Sequence, residues 1–138
     1  MHSKFNLAIN FFENGKLNES KKLCLDILKD EPKNFDILHL LGIISFQLND
    51  YKKSSELISQ AIKVNPNDAE VYNNQAFVLK KLNRPEDAVE SLNKAIKIKP
   101  DFIQAYNSRG HLLVELNQLD AALENFNKAI KINPNFAE

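Results

Sequence analysis

The sequence predicts an all-α protein made of four tandem helix–turn–helix repeats, and therefore eight helices. Four of its five prolines set the period, because neighbouring members are 34 residues apart: Pro32, Pro66, Pro100 and Pro134. Between them, apolar residues recur at three- and four-residue steps, which is the period of amphipathic helices and not of strands. We therefore expect one array over 1–138, with repeats at 1–34, 35–68, 69–102 and 103–136, and a fifth repeat beginning at 137–138.

Residues at the helix ends support this division. The break between the two helices of each repeat holds glycine or asparagine, which tolerate the left-handed backbone that ends a helix: Gly15, Asn49, Asn83 and Asn117. Asp50 is a suitable N-cap for the second helix of its repeat. Pro85 falls in the first turn of its helix, where a missing N–H costs nothing. The four period-marking prolines then end each second helix.

Small residues mark the places where paired helices approach closely, since larger side chains would separate the axes beyond about 8–10 Å. One position of the first helix holds only alanine or glycine: Ala8, Gly42, Ala76 and Gly110. One position of the second helix holds only serine or alanine: Ser20, Ser54, Ala88 and Ala122. Bulky positions alternate with these. Near the start of the first helix they hold Leu38, Tyr72 and Tyr106, and in the second helix Ile58, Leu92 and Phe126.

Composition excludes several classes of function. Lysine plus arginine and aspartate plus glutamate both total 18, and only two residues are arginine, so duplex DNA and anionic membranes are disfavoured as main partners. A single cysteine rules out an internal disulfide and a cysteine-cluster metal site. Three scattered glycines cannot form a phosphate-binding loop. We expect no cofactor, no membrane insertion and, without a secretory signal pattern, a cytoplasmic location.

These repeats resemble the tetratricopeptide repeat family over the whole chain. That family has a 34-residue pattern of a bulky residue, leucine and a small residue, then alanines and a final proline. Leu41-Gly42 matches the leucine–small pair, and the first repeat departs most, with Lys4 at the bulky position. Two later repeats keep only the small member of the pair: Gln75-Ala76 and Arg109-Gly110. The resemblance implies a right-handed α-solenoid (superhelix) of antiparallel helix pairs, with each first helix lining a concave groove.

The same resemblance implies which residues face the groove and bind a peptide. The candidates are Phe12, Asp36, His39, Ile43, Phe46, Asn73, Asn74, Phe77, Lys80, Lys81, Asn107, Ser108 and His111. The side-chain amides of Asn73, Asn74 and Asn107 and the hydroxyl group of Ser108 can form hydrogen bonds to a peptide backbone irrespective of its sequence. We place the centre of the site at Phe77 with Asn73 and Asn74. The alternative is that the phenylalanines are ordinary core residues between helices.

More specialised sites fit this sequence poorly. Chaperone-binding family members hold a C-terminal carboxylate with lysine and asparagines, but the matching positions supply no cation: His39, Ile43, Asn74, Gln104 and Ser108. A chaperone C-terminal peptide is therefore not an expected partner. His39 and His111 lack the local spacing of zinc ligands. Cys24 falls at a core position, so it is expected to be a buried small hydrophobe and not a nucleophile.

Three functions remain open. The first is a non-catalytic scaffold or adaptor that binds protein or peptide in the groove. The second is a substrate-recruiting N-terminal segment of a larger enzyme, because the second half is also similar to the repeats that precede bacterial glycosyltransferase and sulfotransferase domains. The third is self-assembly as a homo-oligomer through the C-terminal face, where no further helix covers Leu123, Phe126 and Ile130. Continuation of the natural chain would cover the same face.

Overall fold

The computed structural model describes residues 2–137, with side chains for 4–135, and in this range it contains eight α-helices and no strand. The helices are α1 (His2–Glu13), α2 (Leu17–Asp30), α3 (Phe35–Gln47), α4 (Tyr51–Val64), α5 (Ala69–Lys81), α6 (Pro85–Ile98), α7 (Ile103–Glu115) and α8 (Leu119–Ile132), followed by a 3₁₀ helix, η1 (Pro134–Ala137). The predicted all-α class and helix number are confirmed. The fifth repeat expected to begin at 137–138 lies outside the described side chains.

The chain divides into two compact units, Met1–Pro66 and Asn67–Glu138. In the N-terminal unit α1 packs on α2, α2 on α3, and α3 on α4. In the C-terminal unit α5 packs on α6, α6 on α7, and α7 on α8, which also contacts η1. Each unit is thus a sequence of helices in which every helix packs against its neighbours along the chain.

The backbone at the four predicted breaks is left-handed. Positive φ angles occur at Gly15 (75°), Asn49 (65°), Asn83 (61°) and Asn117 (60°). Asparagine accepts this conformation at low cost because its short polar side chain can bond locally. The starts of α3, α4 and α5 are each capped by an asparagine or aspartate side chain. Asp50 accepts a hydrogen bond from the backbone N–H of Lys53, as predicted, and Pro85 is the first residue of α6.

Buried serine hydroxyls join the paired helices of the N-terminal unit. The Ser20 hydroxyl donates to the carbonyl oxygen of Ala8, and the Ser54 hydroxyl donates to that of Gly42, each at 2.7 Å. Both acceptors belong to the small-residue position of the first helix. Hydroxyl groups without a partner would be costly at this depth, so these bonds explain why serine is tolerated between two helices.

The core of each unit consists of aliphatic side chains between consecutive helices. Leucine, isoleucine and valine supply most of its fully buried volume: Ile27, Ile37, Leu38, Leu41, Ile44, Ile58, Val71, Val78 and Leu92. Cys24 is completely buried, and burial raises the pKa of its thiol to about 11. A buried thiol that stays protonated is a weak nucleophile, in keeping with a packing role. No helix in the described residues is long and apolar enough to cross a membrane.

Candidate peptide-binding site

Four of the predicted site residues line one pocket in the C-terminal unit. It has a volume of ≈ 90 Å³ and lies between α5 and α7, lined by Ala76, Phe77, Lys80, Ser108, His111 and Leu112. Phe77 is 41% exposed although it is one of the largest apolar side chains in the unit. Its neighbours on α5, Ala76 and Val78, are buried. The helix therefore turns the Phe77 ring away from the core and towards this pocket.

Charged and aromatic groups surround the pocket. The Lys80 ammonium lies 3.1 Å from a carboxylate oxygen of Glu115, and both side chains are about half exposed. Such a pair contributes roughly 0–1 kcal/mol to stability, so either partner is available to a ligand at little cost. The His111 ring meets the edge of the Phe126 ring, with centroids 5.1 Å apart. The α7–α8 packing thereby fixes the position of His111 on the pocket wall.

Asn73 differs from the sequence-based expectation. Only 8% of its surface is exposed, and its amide oxygen Oδ1 is buried without a hydrogen-bond partner. Ala69, Asn73 and Ala76 follow each other at i, i+4 and i+7 on α5, so they share one inward-facing stripe. Asn73 is therefore enclosed in this conformation and does not present its amide to a ligand. The three other candidates of this unit that do not line the pocket are at least partly accessible: Asn74, Lys81 and Asn107.

The remaining candidates lie in the N-terminal unit. Asp36 is exposed in the first turn of α3, while His39 is partly buried with its ring 5.8 Å from that of Phe35. Phe46 packs edge-on against Tyr51, with ring centroids 5.3 Å apart, so it contributes to the contact between α3 and α4. Phe12 and Ile43 are likewise only partly exposed. The alternative interpretation of these phenylalanines as inter-helix core thus describes Phe46 better than it describes Phe77.

A second polar cluster of the C-terminal unit was not predicted. Arg109 is half-buried, and its guanidinium donates from Nε to Asn125 Oδ1 (2.6 Å) and from Nη1 to Asn93 Oδ1 (2.8 Å). It also lies over the Tyr106 ring, 5.5 Å from the centroid. Removal from water lowers the pKa of Arg109 from its ordinary value. The sequence did offer one indication of this cluster, because Arg109, like Gln75, is a polar residue at the position where the family pattern has leucine.

No group of three or more potential metal ligands from histidine, cysteine, aspartate and glutamate occurs within residues 4–135. His39 and His111 also belong to different units, and each has an aromatic neighbour of its own.

Comparison with protein-family models and with solved structures assigns the repeats to one family. Two family models described as tetratricopeptide repeat match the chain, one at residues 69–102 and 103–136 and the other at 11–78. No curated protein gives a significant match.

Solved structures with a similar fold include two of MamA. A crystal structure of MamA is 23% identical, with a TM-score of 0.92 over 99% of this chain and 80% of that one. MamA from Desulfovibrio magneticus RS-1 is 19% identical, with a TM-score of 0.89 over 96% of this chain and 75% of that one. At these identities the likeness concerns the fold, and it confirms the predicted all-α repeat solenoid. The chain belongs to the tetratricopeptide repeat family.

Proposed function

We propose that the chain is a non-catalytic scaffold that binds a segment of a partner protein along the first helices of its repeats. The observation that carries this proposal is the exposed Phe77 ring beside a mostly apolar pocket between α5 and α7, with Lys80, Ser108 and His111 as its polar residues. Burying an exposed aromatic ring is a large favourable contribution to association, and such rings often act as binding hot spots. Ser108 and His111 can bond the backbone of the bound segment.

The charges around Phe77 indicate the type of segment. Lys80 and Lys81 end α5, whereas Glu115 ends α7, so a ligand lying across both helices meets opposite charges. A partner segment would match these charges if it placed an apolar side chain against Phe77 and an acidic side chain beside Lys80 and Lys81. Recruitment of a substrate to a larger glycosyl- or sulfotransferase would use the same surface, so the test below applies to it as well.

Random peptides displayed on phage and selected on the intact chain provide probes for this site. We expect Phe77→Ala to weaken binding of the selected peptides about tenfold or more, which corresponds to about 1.4 kcal/mol. Titration calorimetry measures this change. Leu25→Ala is the matched control. Leu25 is similarly exposed, at 43%, but it lies on α2, the second helix of its repeat, whereas the proposed site uses the first helices. Peptides that bind Phe77→Ala as tightly as the unaltered chain would contradict the proposal.

The outer face of α8 favours self-association as a second function. Leu119, Leu123 and Ile130 are 59%, 58% and 42% exposed, and their spacing places them on one side of the helix. Contiguous exposed apolar residues commonly mark a contact surface.

If α8 mediates self-association, the chain should form dimers or larger species as its concentration rises, and Leu123→Glu should restore the monomer. Size-exclusion chromatography with light scattering measures this mass. Leu25→Glu on α2 is the control and should leave the mass unchanged. A monomer at all concentrations would refute this second function and leave the peptide-binding proposal intact.

A further inference from the structure

The N-terminal unit contains a cavity that the groove does not include. It has a volume of ≈ 610 Å³ and lies where the turn between α2 and α3 faces the C-terminal part of α4. Its lining residues are Pro32, Lys33, Leu38, Gln60, Lys63 and Val64. Leu38 is 2% exposed and forms the floor, while Val64 is 41% exposed and forms an apolar wall. An apolar interior of this size with a polar rim is typical of a small-molecule or side-chain pocket.

At the corresponding position of the fourth repeat the chain supplies its own aromatic ring, and the smaller pocket beside it, ≈ 220 Å³, does not include Pro100. Two repeat lengths separate Leu38 from Tyr106, and Pro32 from Pro100. Tyr106 is 6% exposed, and its hydroxyl donates to the carbonyl oxygen of Pro100 at 2.8 Å. Leucine has neither the ring nor the hydroxyl. No hydrogen bond to the carbonyl oxygen of Pro32 is found in the described part of the chain.

A lysine also lies beside the corresponding aromatic ring of the third repeat, although its counterpart in the cavity is Gln60. In the third repeat the Lys94 ammonium lies 5.9 Å from the centroid of the Tyr72 ring, within the range of a cation–π contact. In the cavity, Lys33 and Lys63 stand at the rim, and neither forms an ion pair with another described residue. An aromatic ring in the cavity, with a carboxylate beside it, would meet both of these ammonium groups.

We propose that this cavity binds a tyrosine side chain of a partner protein, flanked by an acidic residue. The ring takes the place that the Tyr106 ring has in the fourth repeat, against Leu38 and Val64. Its hydroxyl donates to the carbonyl oxygen of Pro32, and the acidic neighbour pairs with Lys33 or Lys63. This site lies within the N-terminal unit, so it does not depend on the groove at Phe77.

N-acetyl-tyrosinamide is the probe, and amide chemical shifts of the whole chain report where it binds. We expect shifts at Lys33, Leu38, Lys63 and Val64. N-acetyl-phenylalaninamide, which lacks the hydroxyl, should bind about three- to tenfold more weakly. A peptide with glutamate beside tyrosine should bind more tightly than the amide alone, and the gain should disappear in Lys33→Ala/Lys63→Ala. Equal binding of tyrosinamide, phenylalaninamide and N-acetyl-leucinamide would overturn the proposal.

The repeat register supplies matched variants. Leu38→Tyr places the chain's own ring in the cavity, so it should abolish probe binding and raise the melting temperature. The reciprocal Tyr106→Leu should create a second site with shifts near Lys128 and Ile132. Val64→Gln, at an exposed position that the fold tolerates, should weaken binding severalfold, whereas Ile98→Gln one repeat later should not. Unchanged binding in both Leu38→Tyr and Val64→Gln, or no shift around the cavity in the unaltered chain, would refute the site.

Discussion

Leu92→Ala is expected to lower the free energy of unfolding by about 2–5 kcal/mol, the range for removing a fully buried leucine side chain. Leu92 is 0% exposed in α6, the helix that packs on both α5 and α7. The truncation removes buried methyl groups and leaves a cavity that these helices can close only in part. Both contacts of α6 are weakened together, and in a repeat protein such contacts between neighbours contribute directly to the stability of the array. Urea unfolding followed by circular dichroism measures the change.

Leu25→Ala is the matched control for this truncation. Leu25 also lies in the second helix of its repeat, but it is 43% exposed. The same chemical change there should alter stability by no more than about 0.5 kcal/mol, as at most surface positions. Losses of similar size at both leucines would contradict the burial assigned to Leu92.

The helix ends were predictable from the sequence because they depend on local backbone sterics. A residue such as Asn83 ends a helix through its own φ angle, whatever packs around it. Proline at the start of α6 acts in the same local way, since its fixed φ suits the first helical turn. Four repeats with the same residue types at the same positions made the prediction of the helix ends stronger, because a boundary assigned in one repeat could be checked in the other three.

The candidate site was less predictable, because exposure depends on neighbouring helices. Phe77 and Asn73 both occupy positions that the family pattern assigns to the groove, yet one is 41% and the other 8% exposed. Arg109 occupies an apolar position of the repeat, and only the tertiary structure shows that α6 and α8 supply Asn93 and Asn125 as acceptors. The sequence shows that the second repeat has Leu38 where the third and fourth repeats have tyrosine, but it does not show the cavity beside Leu38.

Gly110→Ala is expected to destabilise the C-terminal unit although alanine is the better helix former. A Cβ at this position would lie 2.7 and 2.8 Å from two atoms of the Phe126 ring, closer than real contacts allow, and 3.0 Å from a third. The ring moves only as a unit, and turning it aside would disturb its edge-on packing with His111. Overpacking of this kind costs about 1–3 kcal/mol. Helix propensity returns about 1 kcal/mol, so we expect a net loss of up to about 2 kcal/mol.

The third repeat indicates how this loss can be reversed. There the small position holds Ala76 and the bulky position of the second helix holds Leu92, whereas the fourth repeat combines Gly110 with Phe126. The combination suggests that alanine fits when the facing residue is leucine. Phe126→Leu alone should leave a cavity and be destabilising, but Gly110→Ala/Phe126→Leu should recover most of what either change loses. Urea unfolding of the four proteins of this double-mutant cycle measures the coupling, which we expect to be about 1 kcal/mol or more. Purely additive losses would show that the two side chains do not compete for the same space, and the size matching of small and bulky positions would then fail as a rule for these repeats.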